Sequence, residues 1–390
     1  MNFSKTIKAV IIYIFLFANL GCVVANAQEP QPGQLKYYNA LNFRMVNTCF
    51  NNTLTPYTRI PKYLKDSVRK DLWERAQCSS GIAIRFSTNS KAIGIRYNLL
   101  WNAHMAHMAD TGIKGTDLYC LRDDGVWEFV NCNRPSKDSI QTKVYVANMK
   151  GDMHEYMIYL PLYDGVNWME IGVDSSAIIS KPKLDNPRHS KKFIFYGTSI
   201  LQGGCATRTG MVGTSIIQRD LDAECVNIGI SGEGKMDNCM ARAMGSIPDV
   251  TAYIIDPIPN CTKLQCDTLT YDFIKILRTM KPNVPIFMVE GPWYSYESYD
   301  TFFAKYLPQK NYEFHKNYLK LKKENPNNLY YIDRKNLWGP DNEGTVDGIH
   351  LTDIGFYYYA KKLEPYLKAI LDGKKVPYQK EVDKPYKEIK

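Results

Sequence analysis

Phe193-Ile194-Phe195-Tyr196-Gly197-Thr198-Ser199, taken with Val346-Asp347-Gly348-Ile349-His350 further along, decides how this chain is read. A buried apolar run ending in Gly-Thr-Ser describes a strand that delivers a serine at its carboxyl end. Serine is a poor nucleophile until a base takes its proton, and the base needs a third group to hold its tautomer. An aspartate three residues ahead of a histidine supplies both.

Outward from Ser199, the apolar runs at 193–196, 225–228, 252–255, 286–289 and 330–332 alternate with helical patterns at 211–221, 236–244, 269–280, 311–322 and 352–371. Strand then helix, repeated along the chain, specifies a parallel sheet covered on both faces. In such sheets ligands bind beyond the carboxyl ends of the strands, where the connecting loops converge. Ser199, Gly232, Asn260 and Trp293 all follow strand ends, and His350 precedes the last helix.

The first half has another rhythm. Stretches 81–87, 92–97, 155–160 and 168–173 alternate apolar and polar residues with no helical pattern between neighbouring strands. They predict a β-sandwich or jelly roll over 36–180. A polar, proline-containing segment at 180–190 separates it from a catalytic unit at 190–373, and the Lys- and Glu-rich segment 374–390 is expected to be a mobile tail.

With 390 residues, 45% of them hydrophobic and 23% charged, the composition suits two globular domains. Lys5 and Lys8, an apolar run and Ala25-Asn26-Ala27 predict a signal peptide over 1–27 and an exported, periplasmic or extracellular protein. Leu20-Gly21-Cys22 is the competing lipoprotein reading, weakened by Asn19. The formal charge of +9 is scattered in small clusters such as Lys191-Lys192, which gives no footprint for nucleic acid. Of ten cysteines, Cys120 with Cys132 and Cys261 with Cys266 are the local pairs to inspect for disulfides, and the absence of C-x-x-C argues against structural zinc.

An acyl transfer also needs donors aimed at the developing oxyanion. Ile228-Gly229-Ile230-Ser231-Gly232-Glu233-Gly234 and Asp256-Pro257-Ile258-Pro259-Asn260 could supply them. Each motif has a plain structural alternative: a helix N-cap for Ser199, an ordinary histidine for His350, turns for the other two.

Together these blocks resemble the SGNH (GDSL-type) hydrolase superfamily. Gly197-Thr198-Ser199 is similar to the first block, Gly232 to the glycine of the second, Asn260 to the asparagine of the third, and Asp347 with His350 to the last. Gly115-Thr116-Asp117-Leu118-Tyr119 resembles the G-x-D-L-Y signature of a β-sandwich domain that precedes some secreted bacterial esterases of this type. The resemblance implies a flavodoxin-like α/β/α domain with a five-stranded parallel sheet. It implies Ser199 as nucleophile, His350 as base, Asp347 as its orienting acid, and Ser199, Gly232 and Asn260 as the oxyanion hole. The chain departs from the pattern in having G-T-S for G-D-S, and in lacking the third block's usual glycine and aspartate around Asn260.

The expected activity is removal of a short acyl group, acetyl above all, from a carbohydrate, with no metal or cofactor. A lipid or thioester hydrolase and a glycan-binding protein without catalysis are the alternatives. Trp293, Tyr294 and Tyr296 are candidate substrate-lining side chains, with a lid packed on the first domain as the other reading. His104 and His107 could share a helix face, but a loop between strands suits the surrounding residues better. Oligomeric state and the natural glycan are not encoded in any of these patterns.

Overall fold

Alternating burial builds the first domain. The computed structural model describes residues 35–183, 186–377 and 380–387, so segment 1–27, expected from the sequence to be a signal peptide, and Cys22 lie outside the described residues. The first domain comprises β1 (Leu35–Asn39), β2 (Arg44–Val46), α1 (Lys70–Ala76), β3 (Ala83–Thr88), β4 (Ile93–Leu99), α2 (Asp110–Ile113), β5 (Asp117–Leu121), β6 (Trp127–Cys132), β7 (Ile140–Val146), β8 (His154–Tyr159), β9 (Val166–Asp174) and β10 (Ile179–Ser180). One antiparallel sheet has the order β1-β9-β4-β7; the other has β10-β3-β8-β5-β6, with β2 also on β3. Ile93, Ile95 and Tyr97 of β4 meet Ile84 and Phe86 of β3 and Ile158 of β8 in a single core, as the period of two requires.

The second sheet is buried on its other face as well. Ala83, Tyr119, Met157 and Tyr159 form a separate cluster there, and the Tyr159 hydroxyl bonds Gln218 Oε1 at 2.8 Å in the following domain. One sheet thus serves two cores.

The second domain begins with β11 (Lys192–Gly197), α3 (Ser199–Gln202), α4 (Gly213–Leu221), β12 (Glu224–Gly229), α5 (Asn238–Gly245) and β13 (Val250–Asp256). It continues with α6 (Lys263–Thr268), α7 (Thr270–Met280), β14 (Ile286–Val289), α8 (Phe303–Glu324), β15 (Leu329–Ile332) and α9 (Asp353–Leu371). Its five strands are parallel in the order β12-β11-β13-β14-β15. Phe193 and Phe195 face Ile217, Phe356 and Leu363 of α4 and α9. Ile194 and Tyr196 face Met240, Phe273 and Phe314 of α5, α7 and α8. The strand order reverses at β11, which places the topological switch point beside Ser199.

Two expectations are corrected. The helix expected at 311–322 starts at Phe303 and runs through Pro308; Leu307, one turn before the predicted start, is buried in the core. The described part of the tail is docked on the catalytic domain. Val382 O accepts from His315 Nε2 at 2.6 Å, Tyr386 stacks on His315 at 3.8 Å, and Asp383 accepts from the Tyr318 hydroxyl at 2.7 Å. Apolar Val382 and aromatic Tyr386 outweigh the charged residues around them.

All nine cysteines among the described residues are free. In the β5–β6 hairpin Cys132 pairs with Asp117 and Cys120 with Glu128, so the two thiols sit on different rungs.

Candidate active site

Ser199 opens α3 immediately after β11, and Thr198 takes the N-cap position, its Oγ1 accepting from Ile200 N at 3.3 Å. The capping role that could have explained Ser199 therefore belongs to its neighbour. Ser199 Oγ lies 3.0 Å from His350 Nε2, and His350 Nδ1 lies 2.7 Å from Asp347 Oδ2. Asp347 Oδ1 accepts from Ile349 N at 3.0 Å and His350 N at 2.8 Å. Partial burial works against the Asp347 charge, but the hydrogen bonds from the His350 ring and backbone outweigh it and hold the carboxyl below its ordinary range.

Backbone contacts set the serine–histidine distance. Cys205 N donates to Leu351 O at 3.1 Å and Leu351 N to Gly204 O at 3.2 Å, lacing the loop after α3 to the residue after His350. Gly348 has φ +88, and a Cβ there would stand 2.9 Å from the Tyr296 ring, so the turn between Asp347 and His350 requires glycine. From the first domain, the Tyr163 hydroxyl donates to Ser199 O at 3.1 Å.

The remaining motif residues follow β12 and β13, the two strands that flank β11 in the sheet. Gly232, at φ +74 and open to solvent, lies in the turn after β12. Asn260 ends a 3-10 turn after β13, and its amide spends one donor on Ile230 O at 3.3 Å. The N–H groups of Ser199 and Gly232 meet no acceptor among the described residues. Gln202, fully buried, holds Ser231 N at 2.9 Å and fixes the Gly232 turn from below.

The aromatic segment divides. Trp293 is exposed, with the Arg334 guanidinium 4.7 Å from its ring, and it lines a cavity of about 560 Å³ together with Glu290, Asp333, Arg334, Trp338 and Thr345. Tyr296 packs against Gly348. Tyr294, expected to line the site, is buried and stacked on Trp338 at 5.9 Å, so it supports the loop instead. The cavity follows the ends of β14 and β15, two to three strands from Ser199, or about 12 Å at the usual spacing. Burial pushes the Glu290 carboxyl there up to about 7.

Sequence reasoning missed the residues that join the domains. Asp117 of the G-x-D-L-Y stretch accepts from Arg208 at 2.7 Å and from Gly210 N at 2.8 Å. Arg208 also donates to the Tyr119 hydroxyl at 2.6 Å. Arg59, buried, donates to the carbonyls of Cys78 at 2.7 Å and Gly229 at 2.5 Å. Arg69 bonds Glu233 at 2.5 Å and also Asp237, on either side of the Gly232 turn's exit. His104 and His107 share no helix; they lie in a loop of the first domain, and the His107 ring stands 5.7 Å from that of His350. Nothing in local spacing signals contacts made across domains.

These features set a serine, a histidine and an aspartate in one hydrogen-bonded series at the strand ends of an α/β domain that carries a β-sandwich. The comparisons agree: residues 190–368 match the GDSL-like lipase/acylhydrolase family, and residues 35–179 match the N-terminus of SGNH-hydrolase-type esterases. Among solved structures, a GDSL-like lipase from Bacteroides ovatus ATCC 8483 is 32% identical, with a TM-score of 0.81, over 87% of this chain and 98% of that one. The salicylyl-acyltransferase SsfX3 from a tetracycline biosynthetic pathway is 14% identical, with a TM-score of 0.70, over 88% and 99%. A family two carbohydrate esterase from Cellvibrio japonicus is 13% identical, with a TM-score of 0.53, over 87% and 98%; these last two likenesses concern the fold. No match was found among curated proteins. The chain belongs to the SGNH (GDSL-like) esterase and acylhydrolase family, in the form that carries the G-x-D-L-Y N-terminal domain.

Proposed function

We propose that the protein is a serine esterase that removes short acyl groups, acetyl above all, from a carbohydrate. The observation that carries this reading is the continuous chain from Ser199 Oγ through His350 to Asp347, at 3.0 and 2.7 Å. His350 Nε2 takes the Ser199 proton as Oγ attacks the ester carbonyl, and the charge on the imidazole is balanced by the ionised Asp347. The carbonyl oxygen, now an anion, is met by Ser199 N, Gly232 N and the free donor of the Asn260 amide. Collapse expels the sugar hydroxyl, which takes its proton from His350. Water then repeats the sequence on the acyl-enzyme and releases the acid.

The cavity about 12 Å along the sheet from Ser199 favours a glycan over a fatty chain. An exposed indole next to carboxylates and a guanidinium suits a ring with an apolar face and hydroxyls at its rim, and a carbohydrate esterase shares the fold. The expected result is acetate release by the purified protein from acetylated polysaccharides and from p-nitrophenyl acetate, lowered by about four orders of magnitude or more in Ser199→Ala. Equal release by the variant would overturn the nucleophile. A preference for long-chain aryl esters would move the substrate to lipid, and glycan binding without any ester release would leave a binding protein.

A further inference from the structure

We propose that His107, Cys205 and His350 form an inhibitory site for a thiophilic divalent cation, Zn²⁺ in the first place, that closes across the domain interface and switches off the base. The ligand atoms of the three residues lie within 4.8 Å of one another. They come from three separate segments: an N-terminal-domain loop, the loop after α3, and the turn before α9.

The chemistry of the donors selects the ion. Two imidazoles and a thiol match zinc, and the thiol discriminates against Mg²⁺ and Ca²⁺, which take oxygen ligands. His350 Nδ1 is already committed to Asp347, so Nε2 is the nitrogen left for a metal. A carboxylate–histidine pair behind the metal is the arrangement that orients and strengthens a zinc ligand. Ser199 Oγ, 3.0 Å from the same Nε2, or a water can complete a tetrahedron.

The geometry needs a small closure. Zinc bonds of about 2.0–2.1 Å to nitrogen and 2.3 Å to sulfur set neighbouring donors about 3.5 Å apart, so no pair has to close by more than about 1.3 Å. Cys205 and His350 are laced together by the bonds to Leu351, whereas the His107 side chain is exposed at a loop tip between bridged Met105 and Met108, so a rotation of its ring supplies the closure. Cys205 itself is a poor nucleophile, since burial and the nearby Asp347 push its thiol up to about 11. On binding, the thiol gives its proton to solvent and sulfur donates its pair to the metal. The Nε2 lone pair is then occupied, and His350 has no site for the Ser199 proton.

The inference concerns metal occupancy and does not depend on which ester is hydrolysed. Calorimetric titration of ZnCl₂ into Ser199→Ala, which has no turnover to complicate the measurement, should show one micromolar site. Adding His107→Ala or Cys205→Ser should weaken it by about tenfold or more. With Co²⁺ as the probe, a thiolate-to-metal absorption band should form and be missing in the Cys205→Ser protein. In wild type, p-nitrophenyl acetate turnover should fall as Zn²⁺ fills the site, recover with EDTA, and be indifferent to millimolar MgCl₂. No binding, or binding unaffected by both substitutions, overturns the site; binding that leaves turnover intact overturns the switch. Because His107 is exposed, the His107→Ala arm stands even if Cys205→Ser fails to fold.

Discussion

Asp117, with no exposed surface, meets Arg208 at 2.7 Å in the segment after the nucleophile's helix, whereas Arg69, with 42% of its side chain exposed, meets Glu233 at 2.5 Å just after Gly232. Both contacts join the first domain to a loop of the active site. The first holds 208–210, shortly after α3; the second holds the exit of the Gly232 turn through Glu233 and Asp237. Their energetics differ in kind. The Asp117 carboxylate has lost all its water while Arg208 keeps a fifth of its exposure, so breaking that pair leaves buried polar groups unpaired, while the more exposed pair trades its partner for solvent at less cost. The sandwich therefore contributes fold stability at one grip and loop position at the other.

The sharpest way to break this contrast is Asp117→Ala. It leaves Arg208, whose side chain is 22% exposed, with the Tyr119 hydroxyl as its partner, and removes the acceptor for buried Gly210 N, so unfolding in urea should show a loss of about 1–3 kcal/mol. A loss under about 1 kcal/mol would mean that the groups left by Asp117 find solvent or other partners, and that the two grips are alike.

The two grips should also answer pH with opposite sign. Burial raises the Asp117 carboxyl, and Arg208 and Gly210 N offset this in part, since Asp117 Oδ1 has no donor among the described residues. A raised carboxyl binds its proton more tightly in the folded state. Its contribution is complete below the ordinary aspartate range and is lost as pH rises through the folded value. Burial works against Glu233 too, but its bonds to Arg69 and Lys235 win and lower the carboxyl. That contribution is present above the ordinary glutamate range and is lost as pH falls. The stability of wild type relative to Asp117→Asn should thus decline from pH 4 upward, by no more than about 1.4 kcal/mol per unit. Relative to Arg69→Ala it should decline below pH 4, by a few tenths after solvent screening. Slopes of the same sign would refute the distinction.

The same contrast marks where the sequence was legible. The five strands of the parallel sheet appear where apolar runs predicted them, because a strand buried on both faces must be apolar throughout. Asp347 and His350 are three residues apart, and their geometry is set by a local turn that a sequence can display. Asp117, Arg59, Arg69 and His107 were illegible as site components because their partners lie in the other domain. The G-x-D-L-Y pattern does not display what its aspartate does physically, which is to accept from Arg208. The docking of Tyr386 was illegible for a related reason: the charge of 374–390 is local information, while the surface that receives Tyr386 is assembled from α8 and the sheet.

Arg69→Ala sharpens the comparison from its weaker end. The side chain reaches Glu233 at both its carboxylate and its carbonyl, and Asp237 as well, spanning the segment just after Gly232. Its removal should shift the urea midpoint by less than the equivalent of about 1 kcal/mol, since each carboxylate regains water. The turn, however, carries a backbone donor that must be in position before the carbonyl becomes an anion. Turnover of p-nitrophenyl acetate should therefore fall several-fold while KM changes little, because a donor aimed at the transition state acts on kcat. Salt supplies the control. Raising ionic strength toward 1 M shortens the Debye length to about 3 Å and weakens an exposed pair, so wild type should drift toward the variant while Arg69→Ala stays flat. If both proteins lost turnover equally with salt, the grip at Arg69 would have no part in holding the turn, and Gln202 beneath Ser231 would hold it alone.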